Sequence, residues 1–301
     1  MKNKILLIIV LILSIFAVKS SLNKEKTTFS NDVINVSLKD TETNKIKNID
    51  IENYIVGVIA AEMPASFEVD ALKAQAVVAR TYAIYKINNS TTDYDLVTDV
   101  TNQSYIDDEK MKSKWGNNYL YYKNKITDAV LNTKGEILTY NNEAICAFYF
   151  AMSNGYTEDS ALVFGEKKEY IKSVESSFEK DVNNFEVINT ISKTDFCQKL
   201  SIDCNNIIIN NINRSKTNRV LTITINNKEY KGTELRKLLN LRSTDFDIDL
   251  INNTVNITTR GYGHGVGMSQ YGANELAKKG YNYKEILNYY YKDVKINKIN
   301  V

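Results

Sequence analysis

The sequence predicts an α+β fold, a mixed core of helices and strands with a smaller accessory segment inserted into it. Two apolar stretches, residues 54–64 and 70–83, have the length and composition of buried helices. Strand-like alternation of apolar and polar side chains recurs in the ranges 136–140, 219–225 and 253–259. A composition of 43% hydrophobic and 25% charged residues is typical of a globular chain that buries a core.

The N-terminus predicts export. Residues 5–18 are apolar apart from Ser14, and they follow Lys2 and Lys4, whose charges hold such a segment by its cytoplasmic end. The run is short for a spanning helix, as in a cleaved signal peptide, but no Ala-x-Ala cleavage site follows it. We therefore expect a single-pass anchor in the cell membrane, with the body of the chain outside the cytoplasm.

The first apolar stretch ends in an acidic residue. Glu62 stands two positions before Pro64, the chain's only proline, and proline disfavours helix at the residue before it. We expect the helix to end near Glu62, where the negative end of the helix dipole and an apolar setting both resist ionisation. A carboxyl group that keeps its proton near neutral pH suits a general acid. A solvated glutamate at a helix end is the alternative interpretation.

The second apolar stretch carries two cations. Lys73 and Arg80 are seven residues apart on one face of the predicted helix, with Ala76 and Val77 between them. A cationic stripe beside an acid-bearing helix predicts the wall of a cleft. Such cations are also common as solvated or structural side chains.

Three motifs resemble those of a protein family. Residues 62–64 (EMP), 71–83 (ALKAQAVVARTYA) and 261–273 (GYGHGVGMSQYGA) are similar to the motifs of the stage II sporulation protein D family. Its members are peptidoglycan lytic transglycosylases, and amidase-enhancer proteins share the domain. The resemblance runs from about residue 49 to the C-terminus and is weakest in the middle. It implies that the core encloses a glycan cleft with Glu62 as catalytic acid and Lys73 and Arg80 as substrate-binding residues, and that a sporulation cell-wall amidase is a partner.

The predicted divisions of the chain follow from these motifs. An excursion rich in asparagine, lysine and isoleucine separates the two halves of the core. The segments are an anchor or signal (1–22), a tether and entry strand (23–48), the first half of the catalytic core (49–165), the accessory excursion (166–231) and the second half of the core (232–301).

Local patterns fill in the first half of the core. Residues 98–105 are predicted as an irregular surface loop and residues 117–133 as a helix. Strands at 136–140 and 144–150 should form a hairpin through Asn141 and Asn142.

A short polar loop follows the second of these strands. Ser153, Asn154 and Gly155 resemble the family's Ser-Gly-Gly-x-Thr loop, with Asn154 where glycine is commoner. Asparagine tolerates a left-handed backbone, so the departure is compatible with the loop geometry. The resemblance predicts contacts from this loop to sugar hydroxyls, and a plain surface turn is the alternative.

The last motif places glycine at every second position from Gly261 to Gly267, just before a helix that should begin near Met268. Its order does not match a nucleotide-binding loop. Such glycines allow backbone to approach another chain or a ligand closely. The predicted substrate-binding residues here are His264, Ser269, Gln270 and Tyr271. A purely structural His264 is the alternative.

The three cysteines give no clear metal site. Cys197 and Cys204 are close enough in sequence to bridge, which leaves Cys146 as the odd one. Zinc on Cys146 and His264, the sole histidine, would have too few ligands, and the predicted chemistry requires no cofactor. A thiol hydrolase built on the same pair is disfavoured because Cys146 lies within a predicted strand.

The resulting hypothesis is a lytic transglycosylase that cuts peptidoglycan glycan between N-acetylmuramic acid and N-acetylglucosamine. The resemblance implies peptide-stripped strands as substrate and 1,6-anhydro ends as product. This reaction needs a single carboxyl group, since the attacking hydroxyl belongs to the substrate. A non-catalytic glycan-binding enhancer of a cell-wall amidase is the alternative. A net charge of +2, from 38 basic and 36 acidic residues, gives no field that favours nucleic acid.

Overall fold

The computed structural model describes residues 34–299. The α-helices are α1 (Ile51–Glu62), α2 (Val69–Asn89), α3 (Asp108–Trp115), α4 (Tyr119–Leu131), α5 (Ser160–Phe164), α6 (Lys193–Leu200), α7 (Gly232–Leu238), α8 (Gln270–Lys278) and α9 (Tyr283–Tyr290). The strands are β1 (Asn35–Lys39), β2 (Ile46–Asp50), β3 (Leu96–Val97), β4 (Glu136–Tyr140), β5 (Glu143–Ala144), β6 (Tyr149–Phe150), β7 (Gly155–Tyr156), β8 (Glu175–Ser176), β9 (Glu186–Ser192), β10 (Ile209–Arg214), β11 (Val220–Ile225), β12 (Lys228–Lys231), β13 (Phe246–Ile251), β14 (Thr254–Arg260), β15 (Met268–Ser269) and β16 (Lys295–Lys298).

These elements confirm the predicted mixed α+β fold, while the glycan cleft stays a prediction. The strands form several small sheets: β2-β1-β3, β16-β4-β5, β15-β6, β7-β8, β13-β14-β9 and β10-β11-β12. The larger hydrophobic core packs α1, α2 and α4 with the C-terminal helices α8 and α9 and with β4. The last helices therefore return to the first ones, which brings both ends of the described chain into one core.

Helix α1 ends where the sequence predicts. The Asp50 side chain accepts a hydrogen bond from the Asn53 N–H (3.0 Å) and caps the first turn. Met63, the residue before Pro64, has extended backbone angles (φ −121°, ψ 140°), so Glu62 is the last helical residue. The helix is buried along most of its length, in agreement with its small apolar side chains.

A glycine in α1 brings a distant segment against the helix. A Cβ atom on Gly57 would lie 2.2 Å from the Tyr105 ring and 2.8 Å from the Ile106 carbonyl oxygen. The Ile106 N–H donates to the Gly57 carbonyl (3.3 Å). Because Gly57 has no side chain, residues 103–106 can lie along α1 toward its C-terminal turn.

The predicted hairpin is present, but its second strand is broken. Asn141 and Asn142 both have positive φ (52° and 65°), as a tight two-residue turn requires, and β5 pairs with β4 beyond them. The range predicted as one strand, 144–150, contains the end of β5, an irregular stretch and then β6. The interruption arises because β6 leaves the hairpin and pairs in parallel with β15.

A second buried cluster crosses the predicted domain limit at residue 231. It includes Phe196 on α6, Val220 and Ile223 on β11, Leu235 on α7 and Ile257 on β14. Helix α7 and strand β14 belong to the predicted second half of the catalytic core. They nevertheless pack with residues of the predicted accessory excursion. A disulfide joins Cys197 to Cys204, the two cysteines that the sequence shows to be close enough to bridge.

The membrane anchor predicted for residues 5–18 lies outside the described residues. Within residues 34–299, no helix combines the length and hydropathy needed to cross a bilayer.

Candidate active site

Glu62 lies at the end of α1 with its carboxyl group held by two donors. The Ser104 N–H donates to Glu62 Oε1 at 2.6 Å, and the Tyr149 hydroxyl hydrogen-bonds to the same carboxyl group. Burial raises the pKa of Glu62, and the hydrogen bonds from Tyr149 and Ser104 lower it without cancelling the effect of burial. The result is a carboxyl group with elevated proton affinity in a fixed orientation.

A chain of hydrogen bonds behind Tyr149 fixes the direction of its proton. Tyr54 donates to Gln103 Oε1 (3.2 Å), and Gln103 Nε2 donates to the Tyr149 hydroxyl (3.2 Å) and to the Ala79 carbonyl (3.3 Å). Since the Tyr149 oxygen accepts from Gln103, its own proton is free to point at Glu62. Burial raises the pKa of Tyr54 and of Tyr149 well above their ordinary values, so both phenols stay neutral.

The glycine motif packs against the segment that contains Tyr149. Four of its glycines have positive φ: Gly261 (72°), Gly263 (111°), Gly265 (86°) and Gly267 (82°). Cβ atoms on Gly261, Gly263 and Gly267 would come within 2.8 Å or less of residues 148–153. Backbone hydrogen bonds join Met152 with Tyr262 and Met268 with Phe148 across this seam. The close approach predicted for these glycines is thus an approach to the chain's own backbone.

His264 lies at the centre of this seam and is neutral. Its Nδ1 accepts a hydrogen bond from the Val266 N–H (3.0 Å), and its ring packs against Phe148, Phe150 and Phe164. Burial lowers the pKa of His264 to about 3, and Arg236 and Arg219 lower it further, whereas a hydrogen bond with the Tyr149 backbone opposes them. The imidazole therefore bonds to the backbone of Tyr149, and through Tyr149 the glycine motif is connected to Glu62.

Proteins of known name resemble this chain along most of its length. A family profile described as Stage II sporulation protein matches residues 39–140. The chain is 38% identical to Stage II sporulation protein D of Bacillus subtilis (strain 168) over 282 residues, which cover 91% of this chain and 82% of that protein. This chain belongs to the stage II sporulation protein D family.

Two further relatives widen the comparison. Stage II sporulation protein D of Bacillus amyloliquefaciens is 39% identical over 90% of this chain and 80% of its own length. A protein named Amidase enhancer, from Bacillus subtilis (strain 168), is 29% identical over 78% of this chain and 39% of its own length. The stage II sporulation protein D family thus shares sequence with a protein of a different stated role.

In this member of the family, Arg80 is a structural cation. Its side chain is fully buried and forms a bidentate ion pair with Glu52. Arg80 Nε donates to Glu52 Oε1 at 2.9 Å, and Arg80 Nη2 donates to Glu52 Oε2 at 2.5 Å. Further hydrogen bonds reach the carbonyls of Val130 (3.2 Å) and Glu136 (3.0 Å). Arg80 therefore ties α1, α2, α4 and β4 together, and we do not retain it as a proposed substrate ligand. Lys73 is half-buried, with its Nζ 5.8 Å from the centre of the Tyr283 ring, so the two cations do not form an exposed stripe.

The polar loop at Ser153 is also bonded within the protein. The Ser153 hydroxyl donates to the Ser176 carbonyl (2.5 Å), and Asn154 Nδ2 donates to the Thr217 carbonyl and to Asp245 (2.7 Å each). Positive φ occurs at Gly155 (116°), so the left-handed backbone expected at Asn154 falls one residue later. This loop therefore bonds to three segments that are distant in sequence, at Ser176, Thr217 and Asp245.

A buried carboxyl group connects the Ser153 loop to the start of α8. Glu179 accepts hydrogen bonds from the Ser153 N–H (2.7 Å) and from the hydroxyls of Ser269 (2.8 Å) and Ser176 (2.8 Å). Burial raises the pKa of Glu179 to about 7 against the lowering effect of these donors. Ser269 also caps α8 through the Gly272 N–H (3.2 Å). Two predicted site residues, Ser153 and Ser269, thus meet at an acid that the sequence analysis did not select.

The two residues after Ser269 differ in exposure. Gln270 is buried, and its Nε2 has no hydrogen-bond partner among the described residues. Tyr271 is half-buried, and its ring packs edge-on against Phe67 with 4.9 Å between ring centres. Of these two residues, Tyr271 has the more accessible side chain.

The cysteine and histidine considered for zinc do not form part of a larger ligand set. Within residues 34–299, no three side chains of histidine, cysteine, aspartate or glutamate converge as a metal site. Cys146 is a buried free thiol, and burial raises its pKa to about 11. A protonated thiol away from a helix N-terminus is a poor nucleophile, which argues against the thiol hydrolase.

Sequence reasoning missed the residues that hold Glu62. Gln103 and Ser104 belong to the segment predicted as a surface loop, yet Gln103 is fully buried. Tyr149 lies within the predicted strand 144–150, and no sequence pattern distinguishes it from its neighbours. A glutamine in a polar, aperiodic stretch carries no local signal of burial, because its environment is created by α1 and β6 from elsewhere in the chain.

Proposed function

We propose that this protein is a lytic transglycosylase of peptidoglycan. Protonated Glu62 donates its proton to the oxygen that links N-acetylmuramic acid to the next N-acetylglucosamine, and the glycosidic bond breaks. The resulting carboxylate then takes the proton from the C6 hydroxyl of the muramic acid, whose oxygen bonds to its own C1. The product is a 1,6-anhydro end, and no water is consumed.

The observation that supports this proposal most is the state of Glu62. A general acid that later acts as a base needs a pKa close to the working pH, and the competition of burial with hydrogen bonds from Tyr149 and Ser104 leaves the pKa of Glu62 raised. The groups that interact with its carboxyl are the backbone N–H and hydroxyl of Ser104 and the neutral phenol of Tyr149. None of these is the second carboxyl group that hydrolytic glycosidases use to activate water or attack the sugar.

A groove beside the site suits a sugar chain. It has a volume of about 630 Å³, and Phe67, Phe178, Tyr271 and Asn274 contribute to its lining. The Phe67 N–H donates to the Pro64 carbonyl (3.0 Å), which forms a tight turn. Glu62 and Pro64 are two residues apart, and the turn brings Phe67 close to Pro64. The Cα atoms of Glu62 and Phe67 are therefore less than about 15 Å apart. Aromatic rings and an amide are groups that contact sugars, so this groove suits part of a glycan strand.

The finer features of the proposal follow from the family. We infer that the natural substrate is peptide-stripped glycan processed during sporulation, that the N-terminal segment anchors the protein at the membrane, and that a cell-wall amidase acts with it. Lys73, Gln270 and Tyr271 remain proposed substrate-binding residues. For Ser153, Asn154, Gly155, His264 and Ser269 we propose a supporting role, because their described hydrogen bonds are internal.

Mass spectrometry of the products tests the reaction. Full-length protein incubated with purified peptide-free glycan should yield 1,6-anhydro ends, which are one water lighter than the reducing ends left by hydrolysis. Glu62→Gln should fold normally and lose at least about 100-fold in rate, the usual size of a general acid contribution. Glu68→Gln, a change at an exposed acid six residues further on, is the matched control and should retain activity. Retained cleavage by Glu62→Gln, or reducing ends as product, would contradict the mechanism.

The relative named Amidase enhancer supports a second candidate, a glycan-binding enhancer without cleavage activity. The same experiment separates the two candidates when glycan binding is measured beside turnover. An enhancer would bind glycan, leave it intact and raise the rate of an added cell-wall amidase, and Glu62→Gln would not alter that stimulation.

A further inference from the structure

The last turn of α1 is held by a lysine from another helix. Lys114 Nζ, on α3, lies 2.7 Å from the Ala60 carbonyl oxygen and 3.3 Å from that of Ala61. The last carbonyls of a helix have no partner within the helix. Lys114 therefore satisfies two of these groups at the residues that immediately precede Glu62.

Residues 104–114 contact both the Glu62 carboxyl group and the helical turn that carries it. Ser104 gives its N–H to the carboxyl group, Tyr105 and Ile106 lie on Gly57, and Lys114 follows on α3. Eleven residues thus contain a donor to the carboxyl group and a donor to the backbone that carries it. Their common attachment to α1 couples the position of the acid to the position of α3.

Lys114 also brings charge to a site that otherwise presents neutral groups. The side chains that interact with Glu62 from the packed elements are the phenols of Tyr54 on α1, Tyr82 on α2 and Tyr149 on β6. The C-terminus of a helix carries a partial negative charge, which disfavours a carboxylate there. An ammonium group on the Ala60 and Ala61 carbonyls offsets that charge.

We propose that Lys114 is a positioning residue for Glu62, which fixes the last turn of α1 and favours the carboxylate form of the acid. Its kinetic consequence rests on the proposed transglycosylase reaction, in which the carboxylate takes a proton from the C6 hydroxyl. Its effect on the titration of Glu62 does not depend on that reaction. Burial lowers the pKa of Lys114, in keeping with an ammonium group partly withdrawn from water by these contacts.

The test is Lys114→Met in the full-length protein. The pKa of Glu62 should rise by about half a pH unit, the usual size of a charge effect at a partly exposed helix end. This shift is read directly from the ¹³C carboxyl signal of Glu62, assigned by its loss in Glu62→Gln. For glycan cleavage, kcat should fall by about threefold with KM unchanged, because Lys114 does not touch substrate, and the pH profile should move upward by the same half unit. Lys114→Arg should restore both.

A matched control is available on α4. Lys125 Nζ contacts the carbonyls of Phe67 (2.5 Å) and Ser66 (3.3 Å), beyond Pro64, so Lys125→Met removes the same kind of contact without changing the turn before Glu62. It should leave the titration of Glu62 unchanged. If Lys114→Met does not fold, Lys114→Gln removes the charge and keeps a donor.

Each outcome bears on the proposal. An unchanged Glu62 titration in Lys114→Met, or equal shifts in the Lys114 and Lys125 variants, would overturn it. A shift in Lys114→Met alone supports it. If that shift occurs in a protein that cuts no glycan, the transglycosylase proposal fails and the positioning effect stands.

Discussion

Replacing Tyr149 by phenylalanine probes the environment of Glu62 most directly, because it removes one hydroxyl and keeps the ring. In the wild type that hydroxyl donates to the Glu62 carboxyl and accepts from Gln103 Nε2. Gln103 keeps its second hydrogen bond, to the Ala79 carbonyl, in the variant. The change is therefore local, and its main electrostatic effect falls on the carboxylate.

The magnitude depends on pH. A hydrogen bond to a charged group contributes about 1.5–3 kcal/mol, so its loss should raise the pKa of Glu62 by about one to two units. The pKa of Glu62 is already above its ordinary value of 4.5, so the stability it contributes is present below that pH and lost as pH rises through the folded-state pKa. A further rise enlarges the loss at neutral pH. We expect Tyr149→Phe to cost about 1 kcal/mol at pH 4 and about 3 kcal/mol at pH 7.

Urea unfolding at the two pH values measures this difference. Tyr82→Phe is the control, since its phenol interacts electrostatically with Glu62 but hydrogen-bonds to Asn102, and its cost should be similar at both pH values. The pH profile of glycan cleavage should move upward by about one unit in Tyr149→Phe only. An equal loss of stability at pH 4 and pH 7 would refute the hydrogen bond between Tyr149 and the Glu62 carboxylate.

Two further predictions concern the supporting structure. Because burial raises the pKa of Glu179 from 4.5 to about 7, the wild type should lose up to about 3 kcal/mol of stability as pH rises through that range. Glu179→Gln should remove this loss. Urea unfolding at pH 5 and pH 8 measures the loss, and identical losses in the wild type and the variant would contradict the prediction. Gly267→Ala places a Cβ atom 1.9 Å from the Phe148 carbonyl oxygen at φ 82°, so both the Tm and glycan cleavage should fall sharply. Gly116→Ala, at φ 50° in open space, is its control and should cost only about 1 kcal/mol, and equal Tm values for the two variants would argue against the close contact.

The parts of the fold that the sequence predicts are those with local physical causes. Pro64 forces an extended residue at the end of α1, Asn141 and Asn142 adopt the positive φ of a tight turn, and alternating glycines mark a backbone seam. Each signal depends on the residue's own backbone preference. For that reason the sequence alone predicts that Glu62 lies at the end of its helix, without information about its surroundings.

The surroundings of Glu62 depend on contacts that no local pattern encodes. Gln103 is buried because α1 and β6 enclose it, and Arg80 is buried because Glu52 neutralises it from another helix. A heptad spacing between Lys73 and Arg80 predicts a shared face, but it does not reveal that this face points into the core at Arg80. The apolar faces that α7 and β14 bury against residues before the predicted limit at residue 231 were likewise not evident from composition alone.

The seam between the glycine motif and residues 148–153 also constrains the order of folding. Helices α1 and α2 are neighbours in sequence and can pack early, whereas the hydrogen bonds of Met152 with Tyr262 and of Phe148 with Met268 close loops of more than one hundred residues. Tyr149 and His264 reach their places only when those loops have closed. A nascent or partly folded chain would therefore contain the acid without its partner phenol, and the environment of Glu62 would be complete only in the fully folded molecule.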